Sequence, residues 1–321
     1  MLIRVLKFRS LGAVLLLLLL GSPAWAESPA ERVQRLIREL DHDEYIHRET
    51  AMAQLMSLGE AAMAPLLAAL KHDSPEVRSR ARAIVQVRLR ADMIARFKEL
   101  GSPERDADID LEKGMWLIAR IIDLEVEEQD LDKQLDALAA KVRAQFPPDA
   151  DLRQVKAADA VSALRKVLFE DAKFSGSVAD YDNPVNSSLS HVLKTREGLP
   201  ILLSHLVVAV AQRADIPIVG VGIPGRYMCK YDLSQAPDKP TEELVLDPFG
   251  GGRLMTVAML QNEIPGFQPT VHLQPSPHRD TLLRMLANLA SDYLAVGKHN
   301  MANRVYEYQA LLAASASSDL P

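Results

Sequence analysis

The chain has 321 residues, a formal net charge of −6 and 48% hydrophobic residues, enough to fill one large or two modest cores. Its acidic balance, with no basic patch, argues against nucleic acid as a main partner. The single cysteine, Cys229, excludes an internal disulfide, so stability has to come from burial.

The first residues read as an export signal. Arg4, Lys7 and Arg9 precede an apolar run from Leu11 to Leu20. Ser22-Pro23 breaks that run, and Ala24-Trp25-Ala26 has the small-x-small pattern of a cleavage site. A leader over 1–26, removed after Ala26, predicts a periplasmic or secreted protein. The rival is a membrane anchor, which needs about 20 apolar residues; this run is shorter. No later run is long enough to span a bilayer, and no cysteine follows the leader for lipidation.

Residues 27–100 read as helices with an internal repeat. LIRELDHD (36–43) and LLAALKHD (66–73) align, and the same offset places Arg48 on Arg78 and Ala51 on Ala81. Ser74-Pro75-Glu76 supplies a cap and a proline for a helix start. A two-helix repeat of about thirty residues is a solenoid pattern. The stretch LGEAAMAPLLAALKHDSPEVRSRARAI resembles HEAT repeats. His42 and His72 fall at equivalent positions, beside Asp43 and Asp73; with His47 they make a thin metal-ligand set, and no metal site is assigned.

Residues 101–110 are polar and read as a linker. Helices follow at 111–124, at 130–146 (Leu131, Leu135, Leu138 and Val142 on one face) and at 158–169. A Gly/Ser/Asp/Asn-rich loop covers 173–186. A short helix over 189–194 precedes a long apolar one over 199–214, apolar nearly all round and therefore buried. Strands are predicted at 219–223, 227–231 and 244–247, with the 233–241 loop joining antiparallel neighbours. The tail over 280–314 reads as a two-helix hairpin turning at Gly297 and resembles one tetratricopeptide unit. Residues 315–321 are expected to fray.

Five motifs in order carry a wider resemblance: LDALAAKVRAQFPP, LRKVLFEDAKFSG, DNPVNSSLSHVLKTREGLPILLS, GVGIPGRYMCKY and LDPFGGGRL. From about Leu111 to Leu312 the chain resembles the SirB-type branch of the transglutaminase-like superfamily. The resemblance implies an α+β fold: all-helical N-terminal repeats, a transglutaminase-like core with a small antiparallel sheet (111–270), and a helical-hairpin tail (271–314). It also implies where a Cys-His-Asp triad would fall. The nucleophile position is Pro200, as is common in that branch; the base position is Arg226, where the branch usually has histidine; the carboxylate is Asp247. Proline has no nucleophile, and arginine stays protonated, so the triad is degenerate. Asp247 is expected to pair with Arg226 if their strands adjoin.

Other residues restore little. Cys229 lies three positions past Arg226 on a strand, so it faces the other way and reads as a buried hydrophobe. Ser204 and His205 are about 100° apart around their helix, poor for a nucleophile–base pair, and Ser204 is expected to bond a carbonyl within that helix. His191 reads as a hydrogen-bonded surface or semi-buried residue, and His272 and His278 have no ligand spacing. Gly250-Gly251-Gly252 opens no helix, which excludes a phosphate loop. Asn183, Asn186, Ser187 and Ser204 are the candidates to line the old groove, with turn formation and capping the plainer roles for the first three. No cofactor is assigned. The expected function is an exported, non-catalytic interaction or scaffold protein taking a protein or peptide ligand. The alternatives are a divergent peptidase, amidase or acyltransferase, and an assembly factor of the envelope.

Overall fold

The computed structural model describes residues 27–177 and 180–314. The expected leader (1–26) and the closing segment (315–321) lie outside the described residues. One compact unit ends at Leu89 and a second begins at Arg90. Among the described residues no helix is long and apolar enough to cross a membrane.

The first unit holds α1 (Pro29–Glu39), α2 (Tyr45–Ser57), α3 (Met63–Ala69) and the start of α4 (Pro75–Gly101). Ser28 and Glu31 cap α1 reciprocally, and α4 begins at Pro75, with the Val77 N–H donating to Ser74. The thirty-residue offset is realised in the same hydrogen bonds twice. Arg48 donates to the carbonyls of His42 and Asp43 at 2.6 and 2.9 Å, and Arg78 to those of His72 and Asp73 at 2.7 Å each. His42 Nδ1 accepts the Glu44 N–H, and His72 Nδ1 accepts the Ser74 N–H. Leu36 and Leu66 are fully buried, as are Ala51 and Ala81. These histidines therefore shape turns, and His42 stacks on His47.

In the second unit α5 (Leu111–Ile122), α6 (Glu128–Arg143), α7 (Ala157–Arg165), α8 (Leu189–Thr195) and α9 (Pro200–Arg213) precede a sheet. A π-helical turn, Lys166–Asp171, extends α7. Ser175–Gly176 (β1) and Glu197–Gly198 (β2) form a two-residue parallel pair. The main sheet is an antiparallel meander of β3 (Ile218–Ile223), β4 (Arg226–Tyr231), β5 (Val245–Asp247) and β6 (Arg253–Met255). Then come α10 (Val257–Glu263), α11 (Pro269–His272), α12 (His278–Ala295) and α13 (His299–Ala314). Every residue from Ile201 to Ala211 of α9 is buried, which explains its lack of a polar face. One sheet face, with Tyr227, Cys229, Tyr231 and Leu246, packs into the large core with α9; the other, with Val221, Met228 and Val245, packs with Leu260 and Phe267.

Two expectations change here. The helical segment placed over 27–100 does not close as a domain at its end: Met93, Phe97 and Leu100 on α4 are buried in the core of the second unit. The stretch 101–110 is no free linker. Ile109 is buried, Asp106 accepts the backbone N–H groups of His278 and Arg279, and Arg279 donates to the Gly101 carbonyl. Polar composition there serves internal hydrogen bonds. The tail hairpin, which as a lone repeat was expected to dock on the preceding domain, packs into the large core through Leu282, Leu289, Val305 and Leu312.

Arg213, the last residue of α9, ties three helices together. It donates to Glu112 on α5 and, at 2.9 and 2.8 Å, to Asp132 and Asp136 on α6. Burial pushes the Glu112 carboxyl above its usual range, with the Arg213 bond opposing that shift. Arg213→Met is expected to cost about 2 kcal/mol in urea denaturation, because it strands Glu112 without a counter-charge. A loss within experimental error would show that this hub contributes nothing net.

Candidate functional site

The triad positions are brought to one end of the sheet. Pro200 opens α9, and one turn on, Ser204 donates to the Tyr227 carbonyl at 3.1 Å, next to Arg226. Arg226 opens β4, and Asp247 closes the adjacent antiparallel strand. Their side chains approach loosely: Arg226 Nη1 lies 3.7 Å from Asp247 Oδ2, with the arginine side chain 47% exposed and the aspartate nearly buried. Asp247 Oδ1 accepts the Gly250 N–H at 3.0 Å. The glycine turn wraps this carboxylate, and the Gly252 N–H returns to the Asp247 carbonyl. The Gly176 N–H donates to the Phe249 carbonyl, joining the small parallel pair to the same corner.

Cys229 faces the α9 side and is fully buried. Burial, with the Asp247 charge behind it, pushes its thiol well above its ordinary range, so it supplies no thiolate at neutral pH.

The four side chains expected to line a cleft all make hydrogen bonds within the chain. Asn183 accepts the Val185 N–H and donates to Asp180. Asn186, nearly buried, donates to the Asp180 carbonyl at 2.7 Å. Ser187 Oγ donates to Asp292 on α12 at 3.2 Å. Ser204 bonds across to β4 rather than within its own helix, because β4 packs directly on α9. His191 is partly buried, and burial holds its imidazole below the usual value.

Sequence pattern assigned no role in the site to four further residues, Tyr227, His205, Arg284 and Asp292. Tyr227 shares its hydroxyl with His205 Nε2 at 3.0 Å and Thr281 Oγ1 at 2.9 Å. His205 is fully buried with Nδ1 unpartnered, and burial pushes its pKa down to about 3. Arg284 on α12 lies over the Tyr227 ring at 5.5 Å. Asp292, buried against the 184–187 turn, is pushed up to about 6 by burial. A signal for Asp292 existed: it continues the buried spacing Met285, Leu289. Arg284 had none.

A concavity of about 490 Å³ is lined by Glu112, Trp116, Leu131, Asp132, Arg213 and His278 and touches none of Pro200, Arg226 or Asp247. Among the described residues no group of three or more His, Cys, Asp or Glu is placed to hold a metal ion.

Residues 129–287 match the family model described as Transglutaminase-like superfamily. With the small antiparallel sheet and the buried α9, this makes the central segment a transglutaminase-like domain. The chain is similar to a UPF0162 protein of Xylella fastidiosa, 33% identical over 153 residues that cover 45% of this chain and 52% of that protein. It is also similar to a UPF0162 protein of Pseudomonas aeruginosa, 28% identical over 58% of this chain and 66% of the relative. F-box only protein 21 of Mus musculus is 29% identical over 46% of this chain and 23% of its own length. The chain thus spans about half the length of the first UPF0162 relatives it matches. No solved structure matches the chain.

Proposed function

We propose that this is an exported, non-catalytic binding protein built on a transglutaminase-like domain of SirB type, with HEAT-like repeats before it and a tetratricopeptide-like hairpin after it, and that its ligand is a peptide or protein segment. One observation carries the proposal: the only triad-type group left, Asp247, is occupied by Arg226 and the Gly250 N–H. No base stands between it and a nucleophile. Proline at 200 offers no attacking atom, and the one thiol, Cys229, is sealed in the core.

Two measurements on the native chain test this. Iodoacetamide is expected to leave Cys229 unmodified at neutral pH and to label it fully after unfolding in urea. A panel of peptide amides, esters and thioesters is expected to show no turnover that Asp247→Asn removes. Turnover lost in Asp247→Asn, or rapid native labelling coupled to acyl transfer, would overturn the proposal in favour of a divergent hydrolase or acyltransferase.

A further inference from the structure

We infer that the concavity between α5 and α6, beside Arg213, binds an organic cation: an ammonium or guanidinium head on an apolar stem, as in a lysine or arginine side chain. The inference rests on the binding function above and names the chemistry that function recognises.

The concavity, of about 490 Å³, falls within the size range of small-ligand sites. Part of its lining is apolar and well packed: Trp116, Leu131, Leu135 and Leu189. Trp116 is fixed, with its Nε1 donating to the Val126 carbonyl at 3.2 Å and the guanidiniums of Arg96 and Arg120 each 5.2 Å from its ring centre. The polar part is built by convergence. Arg213 gathers Glu112 from α5 and Asp132 and Asp136 from α6 onto one guanidinium. Glu112 and Asp132 line the concavity, and each bonds Arg213 through one oxygen. The second oxygen of each is left as an acceptor for a ligand head group.

The charges do not balance. The lining supplies Asp110, Glu112, Glu128 and Asp132 against Lys113 and Arg213. The groups these touch keep the deficit: Asp136 shares Arg213, and Glu99 holds Lys113 at 3.3 Å. Arg96 and Arg120 on Trp116 add two cations, and Asp92 answers Arg96. Arg143 at the Arg213 carbonyl is answered by Asp215. Carboxylates still exceed cations by three. Acids are at home in the first turn of a helix, which accounts for Asp110 and Glu128 without a ligand. Asp132 and Asp136 lie past that turn, and with Glu112 they place three carboxylates on one cation. Burial holds the Glu112 carboxyl above its usual range even with Arg213 bonded, and the Asp110 and Asp132 charges push the same way. A second cation would relieve that strain.

The lining selects an organic cation over a metal ion. Among the described residues no group of three or more His, Cys, Asp or Glu is placed to hold a metal, and Arg213 stands among the carboxylates that converge here. A bare divalent ion also gains nothing from Trp116, Leu131, Leu135 and Leu189. An alkylammonium or alkylguanidinium uses both parts: its head donates to carboxylate oxygens in charge-assisted hydrogen bonds, and its methylene stem lies along the apolar side chains.

The test titrates the full chain at physiological salt, where loose surface attraction is screened, following backbone amide shifts in two-dimensional NMR. The probes are n-butylammonium, Nα-acetyl-lysine N-methylamide, its norleucine counterpart and calcium chloride. Saturable shifts in the first turns of α5 and along α6 near Leu131 are expected with the lysine derivative and not with norleucine, which keeps the stem and lacks the charge. Tighter binding of the lysine derivative than of butylammonium assigns the cation to a peptide side chain, and equal binding assigns it to a small free amine. Glu112→Gln should weaken binding about tenfold. Asp132→Asn, which keeps an acceptor for Arg213, should do the same and serves if the first variant folds poorly. Asp130→Asn, on the same helix but outside this concavity, should bind as the unaltered chain does. The inference is overturned if lysine and norleucine derivatives bind alike, if calcium shifts these residues and the ammonium probes do not, or if the folded Glu112 and Asp132 variants bind as tightly as the unaltered chain. The concavity touches none of Pro200, Arg226 or Asp247. Turnover that depends on Asp247 would therefore remove the non-catalytic proposal and leave this titration unchanged, so the two can fail separately.

Discussion

Asp292→Asn is expected to stabilise the protein near neutral pH and to flatten its pH dependence below that. In the folded chain burial pushes the Asp292 carboxyl up to about 6, against a usual value of 3.8; the Asp182 charge adds to the shift, and the Ser187 hydrogen bond opposes it. Below the lower value both folded and unfolded chains carry the proton, and the group is neutral to stability. Between the two values the unfolded chain releases the proton while the folded chain keeps it, so stability falls as pH rises. The fall ends once the folded group ionises near 6, at a total of about 2–3 kcal/mol. Asparagine has nearly the same shape, can still accept the Ser187 hydrogen bond and cannot ionise. Urea denaturation near pH 4.5 and pH 7.5 should show the original chain losing stability across that range from this group. The variant should lack that component and be about 2 kcal/mol more stable at the upper pH. Parallel pH profiles for the two chains would sink the prediction.

The three consecutive glycines after Asp247-Pro248-Phe249 should respond very differently to alanine. Gly252 has φ 77°, and a Cβ there would lie 2.3 Å from Cδ2 of Phe169. Left-handed strain of about 1–2 kcal/mol adds to an overpacking cost of similar size, so Gly252→Ala should lose about 3 kcal/mol. It should also disturb the Gly252 carbonyl that accepts from Arg165 at 2.7 Å. Gly251 has φ 69° with nothing within 4 Å of a Cβ, so Gly251→Ala meets only the strain, about 1 kcal/mol. At Gly250 a Cβ would press within 2.7 Å of Asp247 Oδ2, so alanine there should fall between the two and loosen the carboxylate from Arg226. Thermal midpoints of the three variants give the ranking directly. Equal losses at Gly251 and Gly252 would mean the Phe169 contact does not constrain the turn.

The same turn marks the limit of what pattern could tell. The sequence marks 250–252 as a tight turn, yet β6 behind it went unread, because Arg253–Met255 is too short for alternation to register. The two-residue pair of Ser175–Gly176 with Glu197–Gly198 was equally silent. By contrast, α9 was legible almost to the residue, since an all-apolar run of that length has to be buried. The repeat in the first unit was legible because equal residues at equal offsets make equal hydrogen bonds, as Arg48 and Arg78 do.

Within the candidate site, the placing of Asp247 at a strand end beside Arg226 followed from the order of short motifs. The fate of Asn186 and Ser187 did not, because a polar loop residue reads the same whether it faces a groove or bonds its own chain. Local chemistry makes several features readable from residue order alone: helices with their caps, the buried α9, the antiparallel strands, and the lack of a nucleophile at Pro200. That Arg284 meets the Arg226 carbonyl across 58 residues of chain, and Ser187 meets Asp292 across 105, follows from the folded packing alone. Periodicity and capping act over a few residues, whereas the pairing of two lone side chains is set by the packing of whole elements, which leaves no pattern in the sequence around either partner.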